Sequence, residues 1–320
     1  MKMNKIINPV PVADIMQELT RERFFRKTNN AGNELYIVNA HNSPAIMREI
    51  GRLREISFRD SGGGTGLDCD IDEFDTRDEN FFEQLIVWNP IDKAIVGGYR
   101  FLLCDRLPVD ENGQVDTPTS ELFNYSERFV KEYLPFTLEL GRSFVQPEYQ
   151  PTKSLSKGLY SLDNLWDGLG SIRDVCPTAK YYFGKVTMYP QLDRTARDMI
   201  LYFVQKHFPD PDALVTVKPD LNLPIQTDNQ QLESLFSADN YRDNYKILVR
   251  SVRERGAAVP PLVNAYMSLT STLRSFGTAL NPGFGQVEET GLLLVIGDMF
   301  EEKVQRHLNY DKNEIPLHLK

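Results

Sequence analysis

The chain has 320 residues, 41% of them hydrophobic and 25% charged, a composition that builds one large or two ordinary globular domains and excludes collagenous, coiled-coil and disordered classes. Its 36 basic and 45 acidic residues leave a net charge of −9, which argues against a protein that coats nucleic acid through many phosphate contacts, though not against a local basic pocket. Cys69, Cys104 and Cys176 form no CxxC pair, as expected in a reducing cytoplasm; no apolar run follows Lys2 and Lys5, and the most apolar stretch, residues 291–297, is too short to span a bilayer, so any membrane role is expected to be peripheral, at the inner face.

In chain order, helical spacing is read at residues 15–25, a short strand at 34–38, and a helix from Asn42-Ser43-Pro44 through Ile46, Ile50, Leu53 and Ile56 to Phe58. Residues 81–88 and 94–104 read as strands joined by a hairpin-like connection, 120–133 as a helix, 136–145 as a strand, 155–172 as a helix, 181–188 as a strand and 194–208 as an amphipathic helix. After a linker-like stretch at 209–228 we expect helix at 229–255, a mixed segment at 260–277, a buried strand at 290–296 and a closing helix at 299–308. This order predicts an α/β (α+β) fold with a mixed central sheet flanked by helices. Three parts are expected: a helical lead-in at 1–33, a core at 34–208, and a mainly helical extension at 209–320 that completes the sheet. A doubly wound nucleotide fold is disfavoured, because turns of the GxGxxG or GxxxxGK[ST] type are missing.

Glu139-Leu140-Gly141-Arg142 puts a carboxylate and a guanidinium inside one strand. Alternation sets them on opposite faces unless Gly141 sits at a bulge that re-aims the chain; the other reading is a surface ion pair of little consequence. Ile95-Val96-Gly97-Gly98-Tyr99-Arg100-Phe101-Leu102-Leu103, followed by Glu139 to Arg142 and then Val145-Gln146-Pro147-Glu148-Tyr149-Gln150, resembles the GNAT acyltransferase superfamily. More narrowly it is similar to the branch using acyl carrier protein thioesters: the ornithine-lipid and glycine-lipid N-acyltransferases, often labelled hemolysin-like, and more distantly the acyl-homoserine-lactone synthases. The resemblance covers residues 37–208, and residues 260–266 and 289–294 are similar to the C-terminal part of the lipid-forming enzymes.

The resemblance implies a GNAT-like acyltransferase fold, an acyl or carrier site completed by the 209–320 extension, and a set of site residues. Arg54 and Phe58 match the first-helix Arg-x-x-x-Phe, and Asp72 and Asp75 match the Asp-x-x-Asp of the next loop, which Asp68, Asp70 and Asp78 also crowd. Arg100 matches the third-strand arginine, and Glu139 with Arg142 the Glu-x-x-Arg pair. An amine must be neutral to attack a thioester, so Glu139 is expected to act as its base, unless it only orients Arg142 or Arg100. Arg100 and Arg142 suit an amino-acid carboxylate. Backbone N–H groups at Ser143 and Phe144, with Val145 beside them, suit the oxyanion. Tyr202 is either an acid for the leaving thiolate or simply core.

Gln150 is followed by Pro151-Thr152-Lys153-Ser154-Leu155-Ser156-Lys157-Gly158, without the glycines that wrap a coenzyme A pyrophosphate. The expected donor is therefore the acyl-phosphopantetheine thioester of an acyl carrier protein, its phosphate near Gln150, Lys153 and Lys157, with coenzyme A disfavoured and no tightly bound cofactor. The expected reaction moves a long (3-hydroxy)acyl chain to the α-amine of a small amino acid, glycine before ornithine, in lipid biosynthesis. The alternatives are an acetyl-CoA-dependent N-acetyltransferase and a non-catalytic acyl- or partner-binding module of the same fold. The acidic run 68–79 mimics a calcium loop but has Glu73 where that loop demands glycine, so no metal is expected. The glycine run 61–66 reads as a mobile loop over the substrate, and His41, His207, His307 and His318 fit no nucleophilic triad.

Overall fold

The computed structural model describes residues 3–308 and 310–311; Lys2 and His318, named above, lie outside the described residues. The fold is α/β, as the element order predicts. It comprises two compact units that interleave along the chain: Met1–Leu107, Phe136–Lys180 and Phe300–Lys320 form the first, Pro108–Pro135 and Tyr181–Met299 the second. No helix among the described residues is long and apolar enough to cross a membrane.

The first unit is built on five strands, β1 (Phe24–Lys27), β2 (Glu34–Val38), β3 (Glu83–Asn89), β4 (Ala94–Leu103) and β6 (Thr137–Val145), in the order β1-β2-β3-β4-β6 with antiparallel neighbours. The early helix expected over 15–25 is shorter, α1 (Val12–Glu18), and Phe24 and Phe25 belong to β1, whose pairing with β2 no local signal announces. Helix α2 (Pro44–Asp60) starts as read, with Pro44 in its first turn, where a missing N–H costs nothing. The Glu18 carboxylate caps it from outside, accepting from Ala45 N at 3.0 Å and Ile46 N at 2.7 Å. Its other end is closed by the glycine run. Gly62 and Gly63 donate to the Arg59 and Phe58 carbonyls, while Thr65 and Gly66 donate to the buried carboxylate of Glu55. The run expected to be a mobile lid is a helix cap that cradles a carboxylate of its own chain.

Helix α2 covers one face of this sheet through Arg54, which reaches Gln84 on β3. Helix α5 (Ser161–Val175) covers the other, and a Cβ on its Gly168 would meet the Leu85 side chain at 2.6 Å. With both faces covered, β3 is buried from Gln84 to Trp88, which is why its sequence reads as an apolar run without alternation. The helix expected over 155–172 is split: α4 (Leu155–Gly158) is one turn, capped by Ser154, and a Cβ on Gly158 would lie 2.4 Å from Pro151 N. The chain therefore folds back on itself before α5 begins. The unit also takes in α3 (Glu73–Thr76) and the last helix, α10 (Glu301–Leu308).

The second unit has strands β7 (Tyr181–Met188), β10 (Val287–Val295) and β9 (Arg274–Asn281), antiparallel with β10 central, and a small pair of β5 (Phe123–Tyr125) and β8 (Val215–Val217). Strand β5 lies in the first half of the helix expected over 120–133, and only the second half is helical, ending in a short π-type turn at Phe129–Tyr133. The helix expected over 229–255 is two helices, α7 (Asn229–Leu235) and α8 (Tyr241–Glu254), because the Asn240 side chain accepts from Asp243 N and caps the second. Around them stand α6 (Arg194–His207) and α9 (Pro261–Met267). Buried Arg197 on α6 binds Glu288 at 2.6 Å, Asp198 at 2.7 Å and the carbonyls of Pro224 and Leu223, pinning Leu223 and Pro224 to the helix.

Candidate active site

Gly97 and Gly98 of β4 stand where its neighbours come closest. A Cβ on Gly97 would lie 2.4 Å from the Phe144 carbonyl oxygen, and one on Gly98 2.6 Å from that of Leu85. Just past them the ladder slips. Gly98 pairs with Phe144 but Arg100 pairs with Gly141, so Tyr99 faces two residues, Arg142 and Ser143. This is a β-bulge, one residue beyond the Gly141 expected to carry it, and Arg142 adopts the left-handed conformation, φ 52°.

The space over Gly141 is taken by the Arg100 side chain, whose Nε stands 3.4 Å from the position of a Cβ. Glu139 lies opposite Leu102 and shares the face of Gly141 and Arg100. Regular alternation would send Arg142 away from that face. The bulge instead turns it toward the acidic loop that also holds Arg100.

That loop supplies Asp70, Asp72 and Asp75. Asp72 caps α3, and its exchange of hydrogen bonds with Asp75 fixes both carboxylates relative to the backbone. Fully buried Arg54 donates to Asp75 at 2.9 Å, to Gln84 at 2.5 Å and to the Asp70 carbonyl at 3.3 Å, and Gln84 returns a bond to Asp75 at 2.9 Å. Arg100 binds Asp72 at 2.6 Å and Asp75 at 3.2 Å, with its guanidinium 4.8 Å from the centre of the Phe82 ring. Arg142 binds Asp70 at 2.9 Å and reaches Asp72 at 3.6 Å. Three arginines and three aspartates balance in charge, and all belong to the first unit.

Burial alone raises the Asp75 carboxyl, but Arg54 and Arg100 outweigh it and hold the group well below the usual carboxylate range. Asp70 moves the other way: burial outweighs Arg142, Arg54 and Arg100 and raises it. The network opens to solvent on one side only. Side-chain exposure is 29% at Asp72 and 18% at Arg142, against 0% at Arg54 and Asp75 and 1% at Arg100 and Asp70.

The structure thus gathers Arg54, Asp72, Asp75, Arg100 and Arg142 into one network, with Glu139, 1% exposed, on the same sheet face as Arg100. Cys104 lies against Glu139, and burial, then that carboxylate, pushes its thiol well up. Phe58 is buried one helical turn beyond Arg54 on α2. Ser143 is exposed at the bulge, and Phe144 and Val145 continue the strand. Gln150 turns back to donate to the Val145 carbonyl at 2.8 Å. Lys153 is exposed, and Lys157 pairs with Asp92 at 2.8 Å. Tyr202 belongs to the second unit, where its ring stacks on Phe236. Two members escaped the sequence reading. Asp70 was one of several acids in a crowded loop, and Gln84 sits in an apolar strand where only its cross-strand pairing with Arg100 reveals it.

Residues 53–159 match the family described as an acetyltransferase (GNAT) domain. Over 307 residues, 96% of this chain and 93% of the relative, it is 53% identical to a protein of Phocaeicola vulgatus named glycine N(alpha)-acyltransferase. A protein of Bacteroides thetaiotaomicron with the same name is 53% identical over 306 residues, 96% of this chain and 90% of the relative. The chain belongs to the GNAT acyltransferases. No solved structure matches it. In this acyltransferase the matched domain runs from the Arg54 turn of α2 through the bulge to α4, so it contains the whole arginine–aspartate network and Glu139 and stops short of Tyr202.

Proposed function

We propose that this acyltransferase moves a (3-hydroxy)acyl chain from the phosphopantetheine thioester of an acyl carrier protein to the α-amine of glycine, forming a monoacylated amino-acid lipid. The observation that carries the reading is the bulge in β6, which turns Arg142 toward the Arg100 network on the Glu139 face of the sheet. The names of relatives at 53% identity support glycine as acceptor, with ornithine the next candidate.

Glycine arrives as a zwitterion. Arg142, the one guanidinium of the three that solvent reaches, takes its carboxylate, and Asp72, the most exposed carboxylate of the network, receives its ammonium. Arg100 and Arg54 are enclosed by their aspartates, so their part is to hold Asp72 and Asp75 in place. Glu139 removes the ammonium proton, directly or through a water, and the neutral amine attacks the thioester carbonyl. Backbone N–H groups at Ser143 and Phe144 stabilise the oxyanion. Collapse breaks the C–S bond; protonated Glu139 gives the leaving thiolate its proton and takes up the second proton of the amine nitrogen, which passes on to solvent. Lys153 and Lys157, beside Gln150, meet the phosphopantetheine phosphate, for which Lys157 leaves Asp92.

The test is to incubate the pure enzyme with 3-hydroxyacyl and plain acyl carrier thioesters and a panel of amino acids, and to weigh the products by mass spectrometry. Acylglycine from the carrier thioester is the expected product; acetylated product from acetyl-CoA alone overturns the reading. Glu139→Gln keeps the shape and removes the base, and is expected to lower kcat at least about a hundredfold while the protein stays folded. Full activity in that variant removes Glu139 from the mechanism.

A further inference from the structure

Resting on the glycine-acceptor reading, we propose that Asp70 is a positioning residue: its buried carboxylate clamps Arg142 in the left-handed turn of the bulge and so fixes where the acceptor's carboxylate binds. Arg142 carries a side chain at φ 52°, a conformation that side chains avoid unless surrounding contacts impose it. The contact that imposes it comes from 72 residues away: Asp70 Oδ2 stands 2.9 Å and Oδ1 3.2 Å from Arg142 Nε. Oδ1 thus accepts from Nε with Oδ2 in ion-pair contact beside it, while the Nη2 end runs on toward partly exposed Asp72.

Asp70 is itself anchored. Its N–H donates to the Gly51 carbonyl on α2 at 3.0 Å, and its carbonyl accepts from Arg54. A Cβ on Gly51 would lie 2.5 Å from Cys69 Sγ and 2.8 Å from Ile71, so the bare glycine lets the loop press against the helix. Helix, loop and bulge are thereby fixed to one another through Asp70. At 1% exposure it has no path to substrate, unlike Asp72, which separates holding Arg142 from handling the acceptor.

The test compares wild type, Asp70→Asn, Arg142→Lys and the double variant, using glycine and a 3-hydroxyacyl carrier thioester. Asparagine keeps the shape and loses the charge, so the glycine KM is expected to rise about ten- to a hundredfold, with kcat and the carrier KM little changed. In the Arg142→Lys background the same substitution adds nothing further, because the residue it positions has lost its fork. Equal loss at both substrates, a fall in kcat alone, or a full additional penalty in the Arg142→Lys background overturns the proposal. A nitrogen-15 spectrum gives a readout apart from turnover: the Arg142 Nε–H signal is expected to exchange slowly in wild type and fast in Asp70→Asn. If wild type acylates no glycine, the functional reading falls and this signal alone decides the clamp; an unchanged signal defeats it.

Discussion

Asp70 and Asp75 sit in one loop among the same three arginines, yet their carboxyls move in opposite directions, and that difference predicts how the enzyme meets acid. Asp75, hydrogen-bonded by Arg54, is depressed, so its contribution to stability is fully present above the ordinary carboxylate value of about 3.9 and is lost only as pH falls well below it. Asp70 is raised by burial, so ionising it costs stability, and acidification through its folded pKa relieves that cost while releasing Arg142. The prediction is an order of events on lowering the pH: the glycine KM climbs first, and the circular dichroism of the fold is lost later. Loss of both together would mean that the network titrates as one. At this scale the sequence named Arg54, Asp72, Asp75, Arg100, Glu139 and Arg142 through their spacing and resemblance. It could not name Asp70, because which acid of a crowded loop meets which arginine depends on how the bulge turns Arg142.

The glycine pair of β4 sets how closely three strands approach, and a single methyl group tests it. Gly97→Ala would place a carbon 2.4 Å from a backbone oxygen of β6, an atom that cannot yield without moving the strand. A loss of about 2–3 kcal/mol in urea unfolding is expected, with activity falling further because the bulge moves too. Gly297→Ala, where nothing stands within 4 Å of the new carbon, is expected to stay within about 0.5 kcal/mol. A near-neutral Gly97→Ala would show that β4 and β6 can part freely. Elements with their own periodicity and punctuation, such as α2 behind Ser43-Pro44 and the β3–β4 hairpin, were legible in the sequence. Strands β1, β5, β8 and β9 were not. Each is short or thinly apolar, and β9 is interrupted by Gly277 at φ 88°, where its pairing with β10 slips; such strands exist only through distant partners.

In the whole molecule the chain leaves the first unit twice and returns to it for a last helix, α10, whose attachment mixes exposed and buried polar contacts of unequal worth. Arg306 forks onto Asp163 at 3.0 and 2.8 Å but is 56% exposed, so solvent screens the pair and Arg306→Ala is expected to cost no more than about 0.5 kcal/mol. His307 is buried and bonds Asp167 at 2.9 Å, while its carbonyl accepts from buried Arg26. Asp167 also receives Asn29 N and lies on α5, the helix that packs against β3 through Gly168. Removing the imidazole leaves a buried carboxylate short of one partner, so His307→Ala is expected to cost about 1–3 kcal/mol. Ending the chain at Met299 removes both contacts and is expected to lower the unfolding midpoint more than either substitution. Were the shortened chain as stable as the full one in urea, α10 would be an appendage, and the Arg26–Ser171–Asp167 cluster would hold α5 without it.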